Sequence, residues 1–403
     1  MKNTNQNALF VKEFVANIAS IDSECFRIGI TALIDLFEIL GNSRFFKEAI
    51  PLIIKYSDFV EHSLVIQLIH QLSKIKFNFD NEAYLQAYID TMFNYLNTHE
   101  FLIVRAAEPE IKRVLHKHYN QRVIENLILN CYCSYYVKTK KTGLRFLKVF
   151  ENMILGLNPN FYFEMYEKYF ESENIEIQKI AFKSFVEYLR THSIDNKKDF
   201  VRKWANILFY KEEGFIKMYW IDFALKLDDK STVDKNLAQF IYSKSFYIKK
   251  HIIDHINNIL ALTENKQVFL DFFSDLLYSK DKEQVELAIE NIPAMVKSMP
   301  GKNELKIIFN NLRNFIQTCE DDQINYSVIY YLLKCSKYLS KSDCIDFLLK
   351  SLMNYLQSDT ESIDENFLDQ IKEFVMVVSY STVKESLEQF FGSLLIKPSQ
   401  NVN

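Results

Sequence analysis

The chain has 403 residues, of which 48% are hydrophobic, and carries a formal net charge of −4. This length allows two or three ordinary domains or one elongated array of repeats. The chain contains only seven glycines and six prolines, whereas average usage would make these types roughly 12% of the residues. Because a sheet-rich fold needs many tight turns built from them, the composition argues against a β architecture and predicts an all-α protein.

The distribution of charge limits the kinds of partner. Acidic and basic residues are spread along the chain without long runs of one sign, which gives no basic surface for nucleic acid or for an anionic membrane. We therefore expect protein partners, no nucleic acid and no membrane. The N-terminus lacks the apolar segment of a signal peptide, and the six scattered cysteines are expected to be reduced. These features predict a cytoplasmic protein, with the nucleus as a second compartment.

The first clear elements lie between Ile28 and Ile54, where a long apolar run stops at Gly41 and restarts almost at once. Glycine at this position fits the C-terminal stop of a helix. Pro51 is predicted to lie about six residues into the next helix, where a kink is tolerated if the helix curves around its neighbour. Other prolines are predicted near helix beginnings, early in second helices or at the start of a first helix: Pro109, Pro293 and Pro159.

The same unit recurs along the whole chain: an amphipathic run, a short polar break, a second amphipathic run and a looser break. Successive tight breaks are on average about 38 residues apart, which is the period of two-helix HEAT repeats. We therefore predict an α-solenoid, a HEAT/armadillo-like superhelix of about ten helix-turn-helix repeats plus a terminal half-repeat, as one array over residues 1–403. The tight breaks lie near Asp22, Asp58, His99, Val137, Asn174, Glu212, Ser245, Asp281, Asp321 and Thr360.

The second helix of each unit has the apolar face that a stack needs. Small alanines are expected where neighbouring helices approach closely, and larger side chains fill the space between units. One such stripe also fits an ordinary core helix, but stripes repeated in one register favour stacked repeats. Three examples are Val104, Ala107, Ile111 and Leu115; Ile177, Ala181, Phe185 and Leu189; and Val285, Ala288, Ile292 and Val296.

Residues 18–72 resemble the N-terminus of the scaffold (A) subunit of protein phosphatase 2A. The shared pattern is a charged turn, an arginine, a long apolar helix ending in Leu-Gly, a later proline, and a second acidic turn before a helix ending in Gln-Leu. The likeness continues to residue 190, and residues 1–190 are the most similar region; beyond it mainly the period remains. The matching positions are Asp22, Arg27, Leu40, Gly41, Pro51, Asp58, Gln71 and Leu72.

The resemblance implies a divergent and shortened non-catalytic scaffold of a serine/threonine phosphatase, without a cofactor. In that family the intra-repeat turns hold two partners: a regulatory subunit on the N-terminal repeats and the catalytic subunit on the C-terminal repeats. Here the resemblance would assign the regulatory subunit to Asp22, Asp58, His99, Tyr135 and Tyr136. It would assign the phosphatase catalytic subunit to Asp281, Asp321 and Thr360.

No motif for chemistry is recognisable, since the chain lacks a Gly-rich phosphate loop and a G-x-S-x-G elbow. We expect no enzyme activity and no bound cofactor or metal. The best metal candidate is His251 with His255, spaced i and i+4 as in helical metal pairs, but no third ligand is nearby in sequence and an ordinary helix surface is favoured. Two weaker pairs point in different directions on a helix: His116 with His118, and Cys131 with Cys133.

Two charged clusters and two tryptophans remain. The basic cluster Lys138–Arg145 and the acidic cluster Cys319–Gln323 fit solvated surface, with contact to partner proteins as the alternative. Trp204 and Trp220, together with Tyr219, flank a turn and are expected in the core. An exposed tryptophan there would instead be a candidate binding anchor.

Other functions fit the same repeat pattern. HEAT and armadillo arrays also serve as nuclear transport receptors and vesicle-coat adaptors, although transport receptors are usually longer and more acidic than this chain. A regulatory subunit of a related phosphatase is a further reading. A scaffold holding two proteins in a fixed relation remains the leading hypothesis.

Overall fold

The computed structural model describes residues 2–20, 22–194, 197–227, 230–263, 265–357, 365–378 and 384. Within these ranges the regular elements are all helices and no strand is present. The same ranges hold no helix with both the length and the apolar character needed to cross a membrane. The chain divides into two compact units, Met1–Glu187 and Tyr188–Asn403.

Unit 1 consists of helical hairpins in sequence, with a π-helical turn at Phe45–Ala49 between the third and fourth helices. Its last helix continues slightly past the boundary between the units. The helices are α1 (Lys2–Ile18), α2 (Ser23–Thr31), α3 (Leu33–Arg44), α4 (Ile50–Ser57), α5 (His62–Lys74), α6 (Glu82–Leu96), α7 (Phe101–Lys117), α8 (Gln121–Cys133), α9 (Val137–Val149), α10 (Glu151–Leu157), α11 (Pro159–Phe170) and α12 (Ile175–Thr191).

Unit 2 repeats the plan, with a 3₁₀ segment at Lys334–Tyr338 and a π-helical segment at Cys344–Leu349. Its described helices are α13 (Lys198–Phe209), α14 (Gly214–Lys217), α15 (Trp220–Leu227), α16 (Lys230–Ile241), α17 (Phe246–Asp254), α18 (Ile256–Leu262), α19 (Lys266–Leu277), α20 (Lys282–Glu290), α21 (Ile292–Ser298), α22 (Lys302–Thr318), α23 (Asp322–Leu333), α24 (Lys341–Asp343), α25 (Lys350–Gln357) and α26 (Glu365–Val378).

The packing of these helices is that of stacked hairpins. In unit 1, α6 packs on α7 and α8 on α9, while α7 also contacts α5 and α9 in the adjacent hairpins. In unit 2, α19 packs on α20 and α22 on α23, while α20 also contacts α23. Apart from the break near Thr360, which lies outside the described residues, every predicted tight break falls between the two helices of a hairpin. The predicted all-α solenoid of helix pairs is therefore confirmed, and the single array stays a prediction.

The predicted core faces are buried. All members of the three stripes are at most 6% exposed, so each second helix turns its apolar face into the stack, where burial contributes about 25 cal/mol per Å² of apolar surface. Trp204, Trp220 and Tyr219 are also buried. They belong to the core, as expected, and are not exposed binding anchors.

Gly41 interrupts its helix as predicted, because its backbone has φ 68° and ψ 171°, a conformation that glycine adopts without steric cost. The bend expected at Pro51 appears as the π-helical turn Phe45–Ala49, and Pro51 then stands at the start of α4. The wide π-helical turn therefore lies just before Pro51, which has no backbone N–H to donate.

One prediction about prolines is wrong, and another is confirmed only in part, because Pro293 stands at a helix beginning but not early in its second helix. Pro109 lies in the middle of α7, not near its beginning, because the surrounding buried face keeps the helix continuous through it. Pro293 lies in the later half of the second helix of its repeat, where the helix breaks at Asn291 and restarts as α21. Proline is tolerated there because it occupies the first turn of a new helix. Pro159 begins α11, as predicted.

Ion pairs join neighbouring repeats in unit 1 and account for much of the basic cluster Lys138–Arg145. Arg145 donates to Glu108 of the preceding repeat through Nε at 3.0 Å and Nη2 at 2.6 Å. Lys141 contacts Glu176 of the following repeat at 2.7 Å. Lys112 also donates to Glu108 at 2.7 Å. Arg145 and Lys141 of the basic cluster therefore lie between repeats, not on a freely solvated face.

Replacing Glu108 by glutamine is expected to lower the free energy of unfolding by about 1 kcal/mol at neutral pH, since Arg145 is half exposed and its pair is partly screened. Burial alone would raise the pKa of Glu108, but hydrogen bonds from Arg145 and Lys112 outweigh it and hold the pKa below its ordinary value. The stabilisation is thus complete above the unfolded pKa of about 4.3 and is lost as the pH falls through the lower folded pKa.

Urea unfolding of wild type and Glu108→Gln at pH 7 and near pH 3 measures this difference. The gap between the two proteins should close at the acidic pH. Glu176→Gln is the matched control, because that carboxylate pairs with Lys141 in a more exposed position and should matter less. An equal difference in the free energy of unfolding at both pH values would contradict the assignment of this stabilisation to the ionised Glu108 carboxylate.

Candidate partner-binding turns

Three predicted partner-binding aspartates have a local structural role. Asp22, Asp281 and Asp321 are the N-caps of α2, α20 and α23. Their carboxylates accept hydrogen bonds from backbone N–H groups in the first turn, for example Glu24 N at 2.7 Å. Such caps contribute about 1 kcal/mol each. The side chains are exposed, but their position at the turns follows from helix capping and does not by itself indicate a partner.

The other predicted residues of unit 1 come together across consecutive turns. The ring of His99 lies 6.1 Å from that of Tyr136, which meets Tyr135 edge-on at 6.3 Å. His99 and Asp58 line one cleft of about 220 Å³ between the turns of repeats two and three, with the buried Tyr95 in its wall. The structure therefore places Asp58, His99, Tyr135 and Tyr136 in one region, and no described contact joins Asp22 to it.

Hydrogen bonds fix these turns relative to one another. Ser134 donates to the Asn97 side chain at 2.5 Å, and the buried Thr139 donates to the Leu96 carbonyl at 3.0 Å. Lys138 donates to the His99 carbonyl at 2.9 Å. The turns of repeats three and four thus form a preorganised surface, which lowers the entropic cost of binding a partner.

Exposed aromatic side chains recur at the intra-repeat turns of both units. Tyr135 is 94% exposed and Tyr210 81% exposed. Elsewhere in the described chain the aromatic residues are buried or half-buried, apart from the exposed Tyr119, Tyr247 and Tyr338. An aromatic ring left in water at the intra-repeat turns of several repeats needs a reason, since burying it would stabilise the fold. We refer to this set as the turn aromatics: Phe59, Phe101 and Tyr135 in unit 1, and Tyr210, Tyr242 and Tyr278 in unit 2.

Only Tyr135 of the turn aromatics was predicted from the sequence. The signal for the others was present, because Phe59, Phe101, Tyr210 and Tyr242 stand within the polar breaks that define the repeat. This signal was masked by the high content of 34 phenylalanines and 23 tyrosines, which indicates a compositional bias of the whole chain. Exposure can be assigned only once the neighbouring hairpins are in place.

In unit 2, Asp281 and Asp321 start neighbouring helices. A groove between α20 and α23 is lined by the residues that follow them, including Lys282, Glu286 and Gln323. Thr360, the remaining predicted residue, lies outside the described residues.

The histidine pair gains a third potential ligand. Asp222 of the preceding repeat lies against His251 and His255, and the three ligand atoms are all within 4.8 Å of one another. No third ligand is near the two histidines in sequence, because Asp222 is one repeat away along the chain. The pairs His116 with His118 and Cys131 with Cys133 form no such group among the described residues.

Comparison with known proteins supports the architecture. No protein-family model and no curated protein matches this sequence. Solved structures of importin-β do match by fold: one determined in a polyethylene glycol condition aligns with a TM-score of 0.62 and 12% identity over 96% of this chain and 57% of that chain. The fold is an α-solenoid. At this level of identity the likeness establishes the fold and nothing finer.

Two further structures give the same picture. Kap95p with RanGDP aligns with a TM-score of 0.58 and 12% identity over 96% of this chain and 55% of that chain. The complex of Kap95, which is yeast importin-β, with Nup1 aligns with a TM-score of 0.53 and 13% identity over 96% and 55% of the two chains. The chain thus spans little more than half the length of the proteins that it matches.

Proposed function

We propose that this chain is a non-catalytic scaffold that binds other proteins through its turn aromatics. The observation that carries the proposal is the recurrence of exposed aromatic side chains at equivalent turns of stacked hairpins. A few hot-spot residues, among which tyrosine is enriched, carry most of the binding energy at protein interfaces, at about 2 kcal/mol or more each. A solenoid presents them on a surface that neighbouring repeats hold in place.

We further propose that the partners are a serine/threonine phosphatase catalytic subunit and a regulatory subunit, in the cytoplasm and the nucleus. The resemblance of residues 1–190 to the phosphatase 2A scaffold supports this choice. In that arrangement Asp58, His99, Tyr135 and Tyr136 would contact the regulatory subunit, beside Phe59 and Phe101. Asp281 and Asp321 would lie on the side of the catalytic subunit.

A transport receptor is the second candidate. Its support is the likeness in fold to importin-β, whose solved structures include complexes with RanGDP and Nup1. This candidate uses the same kind of surface but predicts different partners, so one binding experiment separates the two.

The test is affinity capture from the source cells with the full-length chain, followed by mass spectrometry. Recovery of a phosphatase catalytic subunit supports the phosphatase scaffold, and recovery of a Ran-type GTPase with cargo supports transport. Recovery of neither class contradicts both finer proposals.

The role of the turns is tested with purified partners and a triple variant, Phe59→Ala with Phe101→Ala and Tyr135→Ala. Loss of even one anchor should weaken binding to unit 1 about 30-fold. The matched control replaces exposed apolar residues away from these turns, Ile28→Ala with Leu157→Ala, and should bind like wild type. Equal binding by both variants would show that the turn aromatics are not the interface.

A further inference from the structure

A buried polar cluster lies between second helices of unit 2. Asp222 belongs to α15, His251 to α17, and His255 stands at the break between α17 and α18. His255 has φ −108° and ψ 11° at this break, so the backbone leaves the regular helical path there. Because α15 packs on α18, the carboxylate of one repeat meets both imidazoles of the next.

The geometry within the cluster is close. His251 Nε2 lies 2.5 Å from Asp222 Oδ2, and His255 Nε2 lies 3.3 Å from Asp222 Oδ1. The side chain of Asp222 is 4% exposed and those of both histidines are 13% exposed. Tetrahedral zinc with bonds of about 2.1 Å holds its ligand atoms roughly 3.4 Å apart. The three atoms can therefore share one ion after small side-chain rotations, once the Nε2 proton that His251 donates to Asp222 is released or moves to Nδ1.

A cationic group already lies at this place. Arg190 of α12 has one guanidinium nitrogen 3.0 Å from Asp222 Oδ1 and 3.2 Å from His255 Nε2. Arginine can only donate hydrogen bonds, so His255 Nε2 accepts and its lone pair points toward the cation. The Arg190 side chain is 56% exposed and can move into solvent without opening the core.

The protonation states suit metal binding. Burial lowers the pKa of His255, which favours the neutral imidazole that a metal requires. Burial alone would raise the pKa of Asp222, but hydrogen bonds from His251 and Arg190 help to hold it below its ordinary value. The cluster therefore offers an ionised carboxylate beside a neutral imidazole.

We propose that Asp222, His251 and His255 form a binding site for a divalent transition-metal ion, with Zn²⁺ as the best fit, in which the ion takes the place of the Arg190 guanidinium. Two imidazoles and one carboxylate are a ligand set that zinc accepts, whereas Mg²⁺ and Ca²⁺ prefer oxygen ligands. A bound ion would link the second helices of two repeats and would stabilise unit 2 by an amount that grows with the logarithm of the free ion concentration above Kd.

Calorimetric titration of the full-length, tag-free protein with ZnCl₂, after EDTA treatment and dialysis, tests the site. We expect one saturable binding event for Zn²⁺ and none for Mg²⁺ at the same concentration. Loss of an outer-sphere partner already costs about 10- to 100-fold in metal affinity, so removing a ligand, as in His251→Ala or His255→Ala, should cost at least about 100-fold. His116→Ala with His118→Ala, the other close histidine pair, should leave the affinity unchanged.

The variant Arg190→Met gives an effect of opposite sign that misfolding cannot produce. Removing the competing guanidinium should tighten Zn²⁺ binding about fivefold, the factor equivalent to about 1 kcal/mol for a partly exposed ion pair. Arg202→Met, which removes an exposed arginine paired with Asp199, should have no effect. The proposal is overturned if neither wild type nor Arg190→Met binds Zn²⁺ at one site, or if His251→Ala and His255→Ala bind as tightly as wild type.

Discussion

Replacing Phe170 by alanine should lower the free energy of unfolding by about 3–5 kcal/mol, the usual cost of deleting a buried phenylalanine ring. Phe170 closes α11 and stacks face to face on Phe182 of α12, with ring centroids 4.1 Å apart and planes within 1°. Phe185 meets the same ring edge-on at 5.5 Å. Because Phe170 is 1% exposed, its loss leaves a cavity between the two helices of repeat five.

Urea unfolding followed by circular dichroism measures this loss. Tyr210→Ala is the control, because Tyr210 is an exposed turn aromatic and surface substitutions usually change stability by less than about 0.5 kcal/mol. The comparison of Phe170 with Tyr210 also concerns function, because an exposed aromatic residue that does not stabilise the fold is available to bind a partner. A cost below about 1 kcal/mol for Phe170→Ala would contradict the packing described.

Two glycine-to-alanine substitutions in neighbouring helices should change stability in opposite directions. A methyl group at Gly143 of α9 would meet the Tyr169 hydroxyl and lie 2.6 Å from Cys131 Cβ. Overpacking of this kind costs about 1–3 kcal/mol. Gly156 of α10 has no atom within 4 Å of such a methyl group, so alanine there should stabilise the helix by about 0.5–1 kcal/mol.

Thermal and urea unfolding of Gly143→Ala and Gly156→Ala against wild type measure both effects. The pair is informative because the chemical change is identical and only the surroundings differ. If both substitutions stabilised the protein, then α9 would not approach α8 and α11 as closely as the structure shows.

The helical hairpins and their period were predictable because each depends on local features. Amphipathic spacing sets which face of a helix is apolar, and the stripe Val104, Ala107, Ile111 and Leu115 is buried as expected. The polar break near Asp22 marks a turn between two helices, and the break at Gly41 follows from the conformational freedom of glycine. The position of Pro109 was predicted wrongly because a proline signal does not show whether packing keeps a helix continuous around it.

The candidate sites depended on neighbouring repeats. Tyr135 is exposed and Trp220 buried although both are aromatic residues close to a turn, and only the position of the next hairpin separates the two cases. The same holds for the basic cluster Lys138–Arg145, in which Lys141 and Arg145 pair with carboxylates of adjacent repeats.

The sequence by itself determined the secondary structure, the repeat period and the buried face of each second helix, because these follow from residues within one or two turns of one another. Only the tertiary structure decided which turn aromatics stay in water and which polar groups meet. Asp222 reaches Arg190 across 32 residues and His251 across 29, close to one repeat in each direction. Contacts at that separation arise from the stacking of hairpins, and no local pattern encodes them.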